Sequence, residues 1–200
     1  KQNGLERRPI IALLAGSRKQ EISKCLPLMT EAASRFDGYQ IVVAGAPGIE
    51  ADFYKQYLNN ASIPVIFDQT YELVQQAELA VVNSGTATLE TALIGTPQVV
   101  VYHVLFGRLA YWVKNIVIKT KYISLVNLVA EKELVKELIA HLFTADNVAN
   151  EINRIFTDNS ITGPFIGIFV WTVVFAFVSV LSTFALGLFL AIALNEPRLR

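Results

Sequence analysis

The chain has 200 residues, 17 of them basic and 17 acidic, and a mean hydropathy of +0.43, high for a soluble domain. Zero net charge and the lack of any basic block exclude a nucleic-acid partner held by phosphate neutralisation. The single cysteine, Cys25, excludes an intrachain disulfide and fits a reducing compartment, where it reads as a buried thiol on a helix. The apolar excess is concentrated at one end. No charged residue occurs from 159 to 195, and only Glu196, Arg198 and Arg200 follow.

Residues 9–156 alternate short β-rich runs with helical stretches. Ile10–Leu14 is a continuous apolar run of strand length, followed by a Gly16-Ser17-Arg18 turn. Residues 21–35 then carry apolar side chains at helical spacing: Ile22, Cys25, Leu26, Met29 and Ala33. Residues 39–44 form a second strand, closed by Gly45-Ala46-Pro47-Gly48, and a short helix runs through Phe53, Tyr54 and Tyr57. Residues 63–67 give a third strand and 71–76 a short helix. A fourth strand over 79–82 leads into Asn83-Ser84-Gly85. Thr86–Ile94 is helical until Gly95-Thr96-Pro97 stops it, and Gln98–Tyr102 is a fifth strand. Strands apolar on both faces and separated by helices predict a Rossmann-like α/β domain with a parallel sheet and right-handed crossovers. Residues 1–8 read as an N-terminal linker. The chain begins at Lys1 rather than a methionine, as a fragment would, and shows no signal peptide.

The end of the chain differs in kind. Residues 164–194 form one apolar stretch of 31 residues. As a helix it would be roughly 46 Å long, against about 30 Å of bilayer hydrocarbon, so a transmembrane helix is expected. Phe165, Phe169 and Trp171 suit an interfacial aromatic belt.

Ligands of such sheets bind beyond the carboxyl ends of the strands, which puts two turns forward as a site. In the first, Gly16 lets the backbone turn sharply, the next helix offers unpaired N–H groups to an anion, and Arg18 could grip a phosphate. The same Gly-Ser pattern also serves as a plain helix cap. In the second, Ser84, Gly85, Thr86 and Ala87 open a helix with small side chains suited to a pyrophosphate. Glu90 lies one turn further on, placed to accept hydrogen bonds from ribose hydroxyls, or simply on a solvated face. His103 and His141 are isolated, no metal-ligand spacing occurs, no Walker lysine is present, and no cofactor is implied.

At these residues a family resemblance appears. Leu14-Ala15-Gly16-Ser17-Arg18 followed by Glu21 resembles the L-P-G-S-R-x-x-E signature of lipid-A-disaccharide synthases. Ser84-Gly85-Thr86-Ala87-Thr88-Leu89-Glu90 resembles their S-G-T-A-T/A-L-E motif. Lys121-Tyr122-Ile123-Ser124-Leu125-Val126-Asn127 is similar to their K-Y-I/V-S-L-P-N segment, and Leu134-Val135-Lys136-Glu137-Leu138 to a V-x-E-L stretch. Ala15 and Val126 stand where many members have proline, His103 where arginine is common, and Ala140 where glutamine often follows. The resemblance implies the C-terminal, donor-binding half of a GT-B glycosyltransferase that inverts its anomeric centre without a metal. It implies UDP-2,3-diacylglucosamine as donor, 2,3-diacylglucosamine 1-phosphate as acceptor, and a β-1,6-linked lipid A disaccharide as product. By analogy Gly16, Ser17 and Arg18 face the donor phosphates. Ser84, Gly85, Thr86 and Ala87 supply the second phosphate-facing helix start. Glu90 holds the ribose and Asn127 lies near the donor pocket. The catalytic carboxylate is expected in an N-terminal half outside this chain, which is therefore expected to be inactive alone. The cytoplasmic face of the bacterial inner membrane and a homodimer are further expectations.

The chain from about residue 154 to 200 resembles something else, and residues 157–200 read as a membrane-spanning, permease-like segment. Arg154-Ile155-Phe156-Thr157-Asp158-Asn159, then Gly163-Pro164-Phe165 and Val170-Trp171-Thr172-Val173-Val174-Phe175, look like one spanning helix of a maltose-type ABC permease subunit. Arg198 and Arg200 favour a cytoplasmic C-terminus, which would put residues 1–158 outside, away from a UDP-sugar. The conflict favours a junction of two gene products over a membrane-anchored transferase.

Overall fold

The computed structural model of the chain describes residues 5–58, 60, 62–103, 122–158, 174, 177–184 and 187. It divides into two compact units, Lys1–Phe165 and Ile166–Arg200. In the first, strands and helices alternate: β1 (Ile10–Leu14), α1 (Lys19–Ala33), β2 (Gln40–Gly45), α2 (Ala51–Lys55), β3 (Val65–Phe67), α3 (Thr70–Gln76), β4 (Ala77–Asn83), α4 (Thr86–Ile94) and β5 (Gln98–Tyr102). Then come α5 (Leu125–Ala130), β6 (Glu137–Ile139), a 3-10 turn (Ala140–Leu142) and α6 (Ala145–Thr157).

The six strands form one sheet in the order β3-β2-β1-β4-β5-β6, and every pairing is parallel. The expected Rossmann-like sheet is therefore present. Side chains alternate across a strand, so a sheet covered on both faces needs apolar residues at odd and even positions alike. Ile11 and Leu13 of β1 pack with Val43, Val81 and Val101 against Ile22, Leu26 and Met29 of α1 and Val148 and Ile152 of α6. Ile10, Ala12 and Leu14 pack with Val42, Ala80 and Val82 against Leu73 and Val74 of α3 on the other face. Ala92 of α4, Val100, Val126 of α5 and Val135 continue that face toward β6. Complete burial of Ile22 and Ile152 contributes roughly 1.5–3 kcal/mol each.

The strand order reverses between β1 and β4. Neighbouring loops depart there to opposite faces and leave a crevice at the strand ends. Local devices keep the flanking helices in place. Gly95, at φ +91°, ends α4, and the hydroxyl of Thr96 donates to the Val74 carbonyl at 2.7 Å, tying α4 to α3. Thr144 caps α6, and Phe156 near its end stacks on Tyr39 with ring centroids 4.3 Å apart.

Three expectations need adjustment. Residues 5–8 are tied to the domain: the Glu6 amide donates to Gln40 Oε1 at 3.1 Å, and Leu5 packs on the core. α5, β6, the 3-10 turn and α6 add to the elements read from the sequence. The membrane-spanning segment expected over 164–194 falls mostly outside the described residues. Its described part is helical, and among the described residues no helix is long and apolar enough to cross a membrane.

Candidate functional site in the crevice between β1 and β4

A cavity of about 350 Å³ opens at the carboxyl ends of β1, β2 and β4, within the size range of small-molecule sites. Seven of the residues proposed from the sequence line it: Gly16, Ser17, Arg18, Ser84, Gly85, Thr86 and Ala87. Two segments about 70 residues apart in the chain thus meet at one place, as the reversal of strand order requires.

The first wall is the turn from β1 into α1. Gly16 adopts φ +112°, a conformation open to glycine and strained for residues with a side chain. The turn is closed by Glu21, which reaches back over the start of α1. Its Oε2 accepts the amides of Ser17 at 3.1 Å and Arg18 at 3.4 Å, and its Oε1 accepts from the Arg18 guanidinium at 3.1 Å. Glutamate in the first turn suits the positive end of a helix dipole and satisfies donors the helix leaves open. Arg18 itself is 81% exposed at the cavity mouth.

The second wall is the start of α4. The Ser84 amide donates to the Val101 carbonyl at 2.8 Å, fixing where β4 ends. The Gly85 carbonyl accepts both the amide (3.2 Å) and the hydroxyl (2.8 Å) of Thr88. These bonds hold the first turn of a helix whose leading N–H groups have no partner within it. A Cβ on Gly85 would meet nothing nearer than the Asn83 carbonyl oxygen at 4.0 Å, so its bare face leaves room for a ligand.

The third wall went unread in the sequence. Ala44, Gly45, Ala46 and Pro47 line the cavity, with Thr70 from the start of α3. The buried Tyr54 hydroxyl accepts the Ala46 amide at 2.7 Å and pins this loop. The Phe67 ring lies against Gly45 where a side chain would sit. Asn83 forms part of the cavity lining, and its Oδ1 accepts from the Cys25 thiol at 3.6 Å. Burial pushes that thiol up to about 11; a backbone hydrogen bond from His103 opposes the shift and the charge of Glu21 adds to it.

Two proposed residues are placed elsewhere. Glu90 is half-buried on α4, one turn beyond Thr86, and is not among the residues lining the cavity. Asn127 is completely buried. Its side-chain oxygen accepts the amides of Leu134 (2.7 Å) and Val135 (3.0 Å), while its Nδ2 donates to the Val135 carbonyl (2.8 Å) and Glu137 Oε1 (2.9 Å). Glu137 also accepts the amides of Ile123 and Ser124, both at 2.9 Å, and the Ser124 hydroxyl at 2.7 Å. The described residues of the third and fourth sequence motifs thus form one clamp, centred on the buried Asn127, joining the start of α5 to β6.

Among the described residues, the ionisable groups lining the cavity are Arg18 and Glu21. The rest is backbone, glycine and small side chains, converging on two helix starts. Such a lining suits a ligand that carries its own charge and accepts hydrogen bonds.

Comparison with known proteins gives a family as well as a fold. Residues 2–160 match the family model described as lipid-A-disaccharide synthetase. A lipid-A-disaccharide synthase of Myxococcus xanthus is 38% identical over 154 residues, covering 74% of this chain and 40% of the relative. Another, of Syntrophus aciditrophicus, is 39% identical over 149 residues, covering 71% and 38%. The chain thus spans about two fifths of the length of these relatives. Among solved structures, a spinosyn rhamnosyltransferase superposes with a TM-score of 0.56 at 14% identity, over 83% of this chain and 42% of that one. A calicheamicin glycosyltransferase gives 0.55 at 15% identity, over 84% and 39%. These structures share the fold of one part of a glycosyltransferase.

Proposed function

The chain belongs to the lipid-A-disaccharide synthetase family, and on that footing we propose that residues 9–156 bind the nucleotide-sugar donor of a GT-B, inverting, metal-independent glycosyltransferase. The donor proposed is UDP-2,3-diacylglucosamine and the acceptor 2,3-diacylglucosamine 1-phosphate, joined as the β-1,6 disaccharide of lipid A at the cytoplasmic face of the inner membrane. The observation that carries the reading is the convergence of Arg18 and the α4 start, Ser84 to Ala87, on one cavity. Charge develops on the departing UDP as the glycosidic bond breaks. Fixed N–H dipoles stabilise that charge without reorganising, and the Arg18 guanidinium adds to them by turning toward it. Glu90 is proposed as the ribose ligand. No residue of this chain is assigned as the base that deprotonates the acceptor.

Isothermal titration of the chain with UDP tests this reading. Saturable binding in the micromolar to millimolar range is expected. A folded sample that takes up no heat from millimolar UDP would remove the main support.

For residues 157–200 the proposal is a membrane-embedded, permease-like helix. It is supported by the uncharged stretch from 159 to 195 and by the exposure of Phe177, Val180, Leu181 and Phe184, each more than half exposed. Flotation of the chain with phospholipid vesicles is the expected result. A chain that stays at the bottom of the gradient would refute it.

A further inference from the structure

The two helix starts at the cavity are alike in position and unlike in occupancy. At α4, small side chains surround the leading N–H groups. At α1 a carboxylate already sits there. Glu21 accepts the amides of Ser17 and Arg18 and the Arg18 guanidinium, and these are the donors an incoming phosphate would use at that turn. Its side chain is 26% exposed and lines the same cavity, so its charge faces whatever enters.

We propose that Glu21 is a built-in competitor for phosphate: it occupies the anion seat at the α1 start and directs a nucleoside diphosphate to the α4 start. This rests on the reading of the cavity as a nucleotide site. A ligand phosphate reaches the Ser17 and Arg18 amides only by displacing a carboxylate attached four or fewer residues away, whose effective concentration is high. One that settles at α4 instead still feels the like charge across the cavity. For a transferase the consequence is looser retention of the nucleoside diphosphate left after transfer. Arg18, paired with Glu21 yet largely exposed, can turn to the ligand without leaving its place at the mouth.

Titration of the full chain and of Glu21→Gln with UDP and with uridine tests the proposal. Glutamine keeps the length of the side chain and an oxygen for the Ser17 amide while removing the charge. The variant is expected to bind UDP about 5-fold more tightly, the order expected for one like charge removed from a partly exposed site, and to bind uridine as the wild type does. Weaker or unchanged UDP binding by Glu21→Gln overturns the proposal. So does an equal gain for uridine, which carries no phosphate. If Glu21→Gln does not fold, Glu21→Ser, with a short neutral side chain at the same position, is read by the same criteria. A wild-type chain that binds no UDP defeats the nucleotide reading and this proposal together. A wild type that binds UDP no less tightly than the variant defeats only this one.

Discussion

A Cβ added to Gly16 would run into the carboxylate of Glu21, and into Asn83 Nδ2 at 2.9 Å. The glycine and the glutamate are therefore one device: the turn curls tightly around the side chain that caps its own helix. Gly16→Ala is expected to lower stability by about 2–3 kcal/mol, from the strain of φ +112° and expulsion of Glu21. Urea denaturation measures it, and a loss under about 0.5 kcal/mol would show that the turn relaxes freely.

Arg18→Ala is expected to weaken UDP binding about 10-fold, the loss of one charge-assisted hydrogen bond at an exposed position. Glu90→Ala is expected to weaken it about 5-fold through the ribose. Both are read by titration. If both variants bind as the wild type does, the assignment of these residues to the donor is wrong.

Asn127 makes an opposite prediction. With its side chain completely buried and saturated by hydrogen bonds, Asn127→Ala leaves the amides of Leu134 and Val135 and part of Glu137 without partners. The expected cost is about 3 kcal/mol of stability. UDP affinity, measured where the variant remains folded, should change less than 2-fold. A large loss of affinity with little loss of stability would place Asn127 at the ligand instead.

Cys25 gives the chain an alkaline limit. Its ordinary value is 9.0, and burial holds it near 11 in the folded state. Between those values the unfolded chain has released a proton that the folded chain keeps. Stability is therefore intact below pH 9 and falls as pH rises toward 11, by about 2–3 kcal/mol. Urea midpoints from pH 8 to 11 should drop less steeply in Cys25→Ala than in the wild type. Parallel slopes would mean the thiol is not responsible.

The sheet was legible where strands were long and apolar. Ile10–Leu14 and Gln98–Tyr102 have the bounds read from the sequence, because a short run dominated by apolar, largely β-branched residues between turn signals has few other uses. β6 was not legible. It has three residues and begins with Glu137, whose carboxylate serves the neighbouring helix. The two glycine turns were found because glycine and small residues at a strand-to-helix junction have a direct steric reading. Glu21 stands out in the sequence only as part of a pattern. Its position in the first turn of α1 was the available signal, that of a residue reaching back to cap its helix. The Gly45–Pro47 wall is backbone held by Tyr54 and Phe67, and such tertiary support leaves no periodic trace. Asn127 shows the reverse case. Belonging to a shared motif suggested a ligand contact, while the side chain is spent on architecture.

The crevice between β1 and β4 joins residues 16–21 to 83–87, and the walls come together only when the parallel pairing across the middle of the sheet is complete. An unfolded chain has no such place. Any molecule that occupies it therefore draws the equilibrium toward the native state, by about 2.7 kcal/mol at one hundred times its dissociation constant. The melting temperature of this chain thus becomes a detector for its ligand, and a panel of nucleotides and nucleotide sugars can be ranked by heating alone.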